Sequence, residues 1–141
     1  MIRKRFLIAL FLASITMFGM SMIWHGLLLN DLKFLEIDFH LFLGLASLAY
    51  LVIGFVLTFA YNYLSMGIGL KFKGFFLGVA CGFFIYLIAF VLGISYNASD
   101  AAHTTVDFLW QMIEQGVGGS VVSFVYFLAA KRDEVLNRVS Q

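Results

Sequence analysis

The 141-residue chain has no proline, one cysteine and only 12% charged residues. Each scarcity excludes something. Without proline, no helix here carries a proline kink, although glycines can still bend one. Cys81 stands alone, so there is no internal disulfide, no CxxC redox pair and no thiolate metal cage. Soluble domains carry about 25% charged and about 45–50% apolar residues. A chain that is 62% hydrophobic has too little polar surface for an ordinary cytoplasmic enzyme, and the same composition excludes disorder. A formal net charge of +1 supplies no basic field for nucleic acid.

What the chain does have is long apolar runs. Crossing a hydrocarbon core of about 30 Å takes about 20 mostly apolar residues, and residues 6–29, 41–64, 75–95 and 106–130 each supply such a run. The expected fold is all-α, a single-domain integral membrane four-helix bundle. Arg3, Lys4 and Arg5 ahead of the first run imitate a signal peptide. That run is too long for a signal segment and lacks an A-x-A site, so it is read as a retained first helix. The connections 30–40, 65–74 and 96–105 leave no room for a soluble domain.

Lys and Arg mark the cytoplasmic side of a membrane protein. Eight of the nine lie at Arg3, Lys4, Arg5, Lys71, Lys73, Lys131, Arg132 and Arg138, which share one side if four helices alternate; only Lys33 lies opposite. Both termini are expected to be cytoplasmic, in a bacterial inner membrane, with the first and third connections outside. The interfacial aromatic residues agree: Trp24 and Tyr96 fall near outer helix ends, Trp110 about one turn further in, and Tyr61 and Tyr63 near an inner end.

Helices in lipid meet through small residues that let backbones approach. Gly74, Gly78 and Gly82 recur at a spacing of four, and Gly116 with Ser120 and Gly119 with Ser123 offer matching positions on the fourth helix. On the second, His40, Gly44, Ser47, Gly54, Thr58 and Tyr61 form one stripe; on the first, Ser14, Ser21 and His25 share a side. These are read as packing faces within the bundle, with a homo-oligomer or another membrane protein as the alternative partner.

The ionisable residues gather at one end. All three histidines and six of the eight acids fall in the outer half under this topology. Asp31, Glu36, Asp38 and Asp100 read as solvated loop residues. Glu114 differs, because it lies seven residues beyond Asp107, about 10 Å deeper along the helix at about 1.5 Å per residue. An acid at that depth faces the bundle interior, pairs, or takes up a proton. His103, Asp107, Trp110, Gln111, Glu114 and Gly118 share one face of the fourth helix. With His25 and His40 from the first two helices, this face is expected to line an outward polar vestibule.

Three chemistries can be weighed against that constellation. A proton or small-solute pathway, or an accessory subunit, needs only the intramembrane carboxyl; a structural role in which Glu114 and Gln111 specify the bundle needs no chemistry at all. A metal-dependent membrane enzyme or sensor would draw ligands from His25, His40, His103, Asp107 and Glu114. Against it stand the absence of HExxH and of two histidines on one helix, so no cofactor is expected and a divalent metal stays the alternative. Haem is disfavoured, because His25 and His40 sit at helix ends with no arginine on their side for the propionates. Ser21 and His25 have helical spacing but no oxyanion-hole signature accompanies them. Asn97-Ala98-Ser99 fits a glycosylation sequon that a bacterial source would leave unused. Cys81 is expected to be buried filler. The first reading is therefore non-enzymatic.

One stretch carries a resemblance. Residues 18–32, with Trp24-His25-Gly26, the leucine run Leu27, Leu28, Leu29, and Asp31, resemble the first-helix exit of a family of small bacterial four-span membrane proteins with no assigned activity. That family tends to place a tyrosine where this chain has His25. The resemblance covers about 15 residues and the four-span layout, and it implies fold and location only.

Overall fold

Uninterrupted by proline, the apolar runs wind into helices in a computed structural model that describes residues 2–34, 37–64, 70–92 and 101–139. Helix α1 spans Ile2–Met22 and continues as a π turn over Ile23–Leu28; a short 3-10 turn, Asp31–Phe34, follows. Helices α2, α3 and α4 span Phe39–Tyr63, Leu70–Val91 and Ala101–Val139. All four are long and apolar enough to cross a membrane. Large apolar side chains such as Ile15, Leu48, Phe84 and Phe124 point outward, while the buried core is small and centres on Ala9, Ala13, Met17, Leu57 and Val122. Water is a poor solvent for such an exterior.

The helix ends depart from the predicted spans. The first starts earlier, the second and third run a few residues toward their N-termini, and residues 93–95 of the expected third span lie outside the described part. The fourth departs most. At 39 residues α4 is about 58 Å long, against about 30 Å of hydrocarbon. Its charged last turns continue the helix because Lys131 to Arg138 contains no glycine or proline to stop it, and Glu134 pairs with Arg138 one turn on.

The last turn of α1 also differs from expectation. It widens to i→i+5 bonding, with Leu29 N–H donating to the Trp24 carbonyl at 2.9 Å. Asn30 then takes a left-handed backbone, φ 58°, which asparagine tolerates, and the chain reverses. Asp38 restarts it by accepting hydrogen bonds from the His40 and Leu41 N–H groups at 2.9 and 3.0 Å.

Helix α4 occupies the middle of the arrangement, with α3 packed intimately along one face and α1 along another, and α2 leaning mainly on α1. The glycines explain the closeness of α3. A Cβ on Gly74 would run into the Gly119 carbonyl and one on Gly78 into the Gln115 carbonyl, while at Gly82 it would lie 2.7 Å from the Gln111 carbonyl oxygen. Gly116 faces Phe75 and Val79, and the Ser120 hydroxyl turns back onto the Gly116 carbonyl at 2.9 Å. The Gly74 N–H donates to Ser123 Oγ at 2.8 Å, a bond between helices that only such proximity permits.

Arg5 of α1 and Asp133 of α4 form a salt bridge, which places the start of α1 and the tail of α4 at one end of the bundle. Lys73 caps the Tyr61 carbonyl and lies over the Tyr61 ring, adding a further cation nearby. Both side chains of the Arg5–Asp133 pair are about a third exposed, so screening limits its worth to about 1 kcal/mol or less. Arg5→Gln is therefore expected to change the thermal midpoint in micelles by only about 2–4 °C. A much larger drop would show that the pair is coupled to the core.

Candidate functional site

At the opposite end, three helices bring their polar residues together. The Trp24 indole stacks on Trp110, with ring centroids 4.2 Å apart and planes within 9°, and its Nε1–H donates to Asp107 Oδ1 at 3.4 Å. This lid of two rings joins α1 to α4. One turn deeper lies Glu114, 1% exposed, beside Gln115, which is fully buried. The Tyr50 hydroxyl of α2, the Trp110 indole N–H and the Gln115 amide all face the Glu114 carboxyl group, and Ser21 of α1 faces the Tyr50 hydroxyl.

The carboxyl is crowded by donors yet incompletely bonded. Gln115 Nε2 donates to Oε1 at 3.2 Å. Among the described residues, Glu114 Oε2, Trp110 Nε1, Gln115 Oε1 and Ser14 Oγ are buried without an aligned partner. Trp110 thus lies within electrostatic reach of the carboxyl but is not aligned for a hydrogen bond. Buried polar atoms are nearly always paired, so three orphans together, one on the Glu114 carboxyl and two on its neighbours Trp110 and Gln115, mark a place where a proton or a small polar guest would gain contacts.

A cleft of about 340 Å³ lies between the end of α1 and the N-terminal half of α2. Ser21, His25 and Tyr50 supply its polar wall, and Met22, Leu32 and Phe42 its apolar wall. Tyr50 therefore borders both the cleft and the carboxyl. On the other side of Glu114, toward the basic end, Met17, Ala13, Leu57 and Val122 pack together with the buried hydroxyls of Ser14, Thr58 and Ser123, and Met17 Sδ occupies the space where a Gly118 side chain would be.

The expected vestibule residues are distributed as follows. His25, Asp107 and Glu114 lie at this end on α1 and α4, with Glu114 deepest. Gln111 is half-buried and its backbone packs against Gly82 of α3. His40 is exposed at the start of α2, its ring edge-on to Phe39, away from the cleft. The backbone of His103 lies in the first turn of α4, but its side chain, like Glu36, Tyr96, the sequon 97–99 and Asp100, lies outside the described residues. No group of three or more His, Cys, Asp or Glu side chains that could hold a metal ion occurs among the described residues.

The α2 stripe is buried only in part. Gly54, Thr58 and Tyr61 are buried, whereas His40, Gly44 and Ser47 are exposed and Phe42, Ala46 and Tyr50 take the inward positions. The facing side thus shifts around α2 along its length, and this brings Tyr50 to Glu114. Neither Tyr50 nor Gln115 was expected at the site. Gln115 could have been found as a second amide in an apolar span, but its position belongs to the face turned toward α3.

No protein family, no curated protein and no solved structure matches the chain, so its functional reading rests on its own residues.

Proposed function

We propose that the chain is an integral membrane protein, both ends cytoplasmic, that loads a proton or a small protonated solute onto Glu114 from the outer face. Four apolar helices with an apolar exterior support insertion, and the basic residues around Arg5, Lys73 and Arg132 support the orientation. The observation that carries the functional reading is Glu114 itself: a carboxyl group 1% exposed, with Oε2 unpaired and the Tyr50 hydroxyl between it and the open cleft. An acid in a spanning helix is costly to keep ionised, so taking up and releasing a proton is the chemistry it offers. Ser21 and Tyr50 form a hydroxyl chain along which that proton can pass. Below, the flexible thioether of Met17 closes the bundle against Gly118, as an apolar constriction closes a channel by excluding water.

Isotope-edited infrared spectra of the reconstituted full chain test this reading. A carboxyl band missing from Glu114→Gln should respond to outside pH between about 4 and about 10, a range that brackets ordinary carboxyl and tyrosine values. Tyr50→Phe should slow that response while leaving the band in place. A Glu114 band indifferent to pH across the whole range would overturn the proposal.

A further inference from the structure

A second concavity lies at the basic end, on the outer surface between α1 and α4, with a volume of about 630 Å³. Its two walls have the same order of residues. Along α1, Lys4 is followed at intervals of four by Ile8 and Leu12; along α4, Arg132 is preceded at the same interval by Leu128 and Phe124. Because the two helices run antiparallel here, Arg5 meeting Asp133 and Met17 meeting Gly118, both cations stand at the mouth. Both apolar walls then run about 12 Å toward the bundle's middle, eight residues at about 1.5 Å each. All four apolar side chains are about half exposed.

The charge at the mouth is unbalanced. Lys4, Arg5 and Arg132 face a single acid, Asp133, whose carboxylate is already engaged by Arg5. Lys4 and Arg132 are exposed and uncompensated by any other carboxylate in the groove's lining. A guest that satisfies this site must be anionic at one end and carry an apolar chain at the other. Basic pockets between spanning helices on the cytoplasmic side select anionic headgroups on this basis.

We propose that the α1–α4 groove binds one phospholipid with an anionic headgroup, its phosphate between Lys4 and Arg132 and one acyl chain along Ile8, Leu12, Leu128 and Phe124. The proposal rests on the membrane placement above but not on the role of Glu114. Phosphatidylglycerol is matched by charge, whereas phosphatidylcholine brings a cation to a cationic mouth.

Native mass spectrometry of the full chain, released from micelles containing equal phosphatidylglycerol and phosphatidylcholine, reads the preference. One phosphatidylglycerol per chain should be retained about tenfold over phosphatidylcholine, a difference of about 1.4 kcal/mol. The Lys4→Gln, Arg132→Gln double variant alters only exposed positions and should bring the ratio close to one. Leu128→Trp, which fills the groove, should lose both adducts while circular dichroism stays helical, and Arg138→Gln, outside the groove, should behave as the parent. Equal retention of the two lipids, or a ratio unmoved by the double variant, overturns the groove as a lipid site. If alkaline carbonate strips the chain from liposomes, the membrane placement fails, and the lipid site with it.

Discussion

Gly78→Leu is expected to lower the thermal midpoint in micelles by roughly 10 °C. Overpacking usually costs about 1–3 kcal/mol, and about 3 kcal/mol moves a chain of this size by about that much. The upper end applies because a Cβ at Gly78 meets the Gln115 carbonyl and the Gly116 Cα, and backbone cannot turn aside as a side chain can. α3 would have to move away from α4, opening Gly74 and Gly82 as well. Cys81, the only thiol, is half-buried on α3 and packs against the core cluster, so its rate of maleimide labelling reports that separation directly. Gly44→Leu is the matched control. Nothing lies within 4 Å of a Cβ built at Gly44, so it should keep both the midpoint and the labelling rate of the parent. Equal losses at Gly44 and Gly78 would mean that the ridge is not what holds α3 on α4.

Glu114→Gln and Glu114→Leu are expected to part company in stability while agreeing in function. Glutamine keeps the shape and an acceptor oxygen for the Tyr50, Trp110 and Gln115 donors that face the site, so its midpoint should stay within about 2–4 °C of the parent. Leucine strips the Gln115 amide of its acceptor in a buried place, and a stranded polar group costs about 1–3 kcal/mol, giving a clear fall in the midpoint. Proton flux into liposomes should drop at least about tenfold in both, because neither side chain titrates. Met17→Ala should raise flux in the parent by thinning the apolar closure but restore nothing in the Glu114 variants. A glutamine variant with full flux would make Glu114 a packing residue. The split between the two readouts separates a chemical role from a structural one, which loss of flux alone would not do.

The helices and the ridge were legible because their signals are redundant. Four apolar runs leave no other assignment, and three glycines at a spacing of four can face only one way along a helix. Glu114 was legible for the opposite reason, as the acid that lies deep within an apolar span, seven residues beyond Asp107. Tyr50 was not, because the chain has six tyrosines and 17 phenylalanines and nothing local distinguishes one that faces inward. The stripe through His40 and Ser47 failed to mark the buried side for a related reason: sequence spacing assumes that one face of a helix meets its neighbours throughout, whereas α2 turns its Phe42, Ala46 and Tyr50 side inward at this end. The length of α4 escaped because hydropathy measures the apolar stretch, while a helix continues through charged residues until a breaker stops it. Gln115 lies on a second buried face of α4, with Gly119 and Ser123, whereas the spacing of Asp107, Glu114 and Gly118 marks only the first.

The widened turn at Ile23–Leu28 gives the first helix one residue more than α spacing would use. In terms of insertion and deletion, it is a register slip of one position stored at the mouth of the cleft. Taking out a single residue there would let the segment close into ordinary i→i+4 bonding, and α1 below Met22 would keep its partners. Trp24 and His25 would turn relative to Ser21, parting the Trp24 indole from Trp110 and re-aiming the histidine in the cleft wall. A length change of one residue in this turn would thus alter what can enter while leaving the bundle assembled.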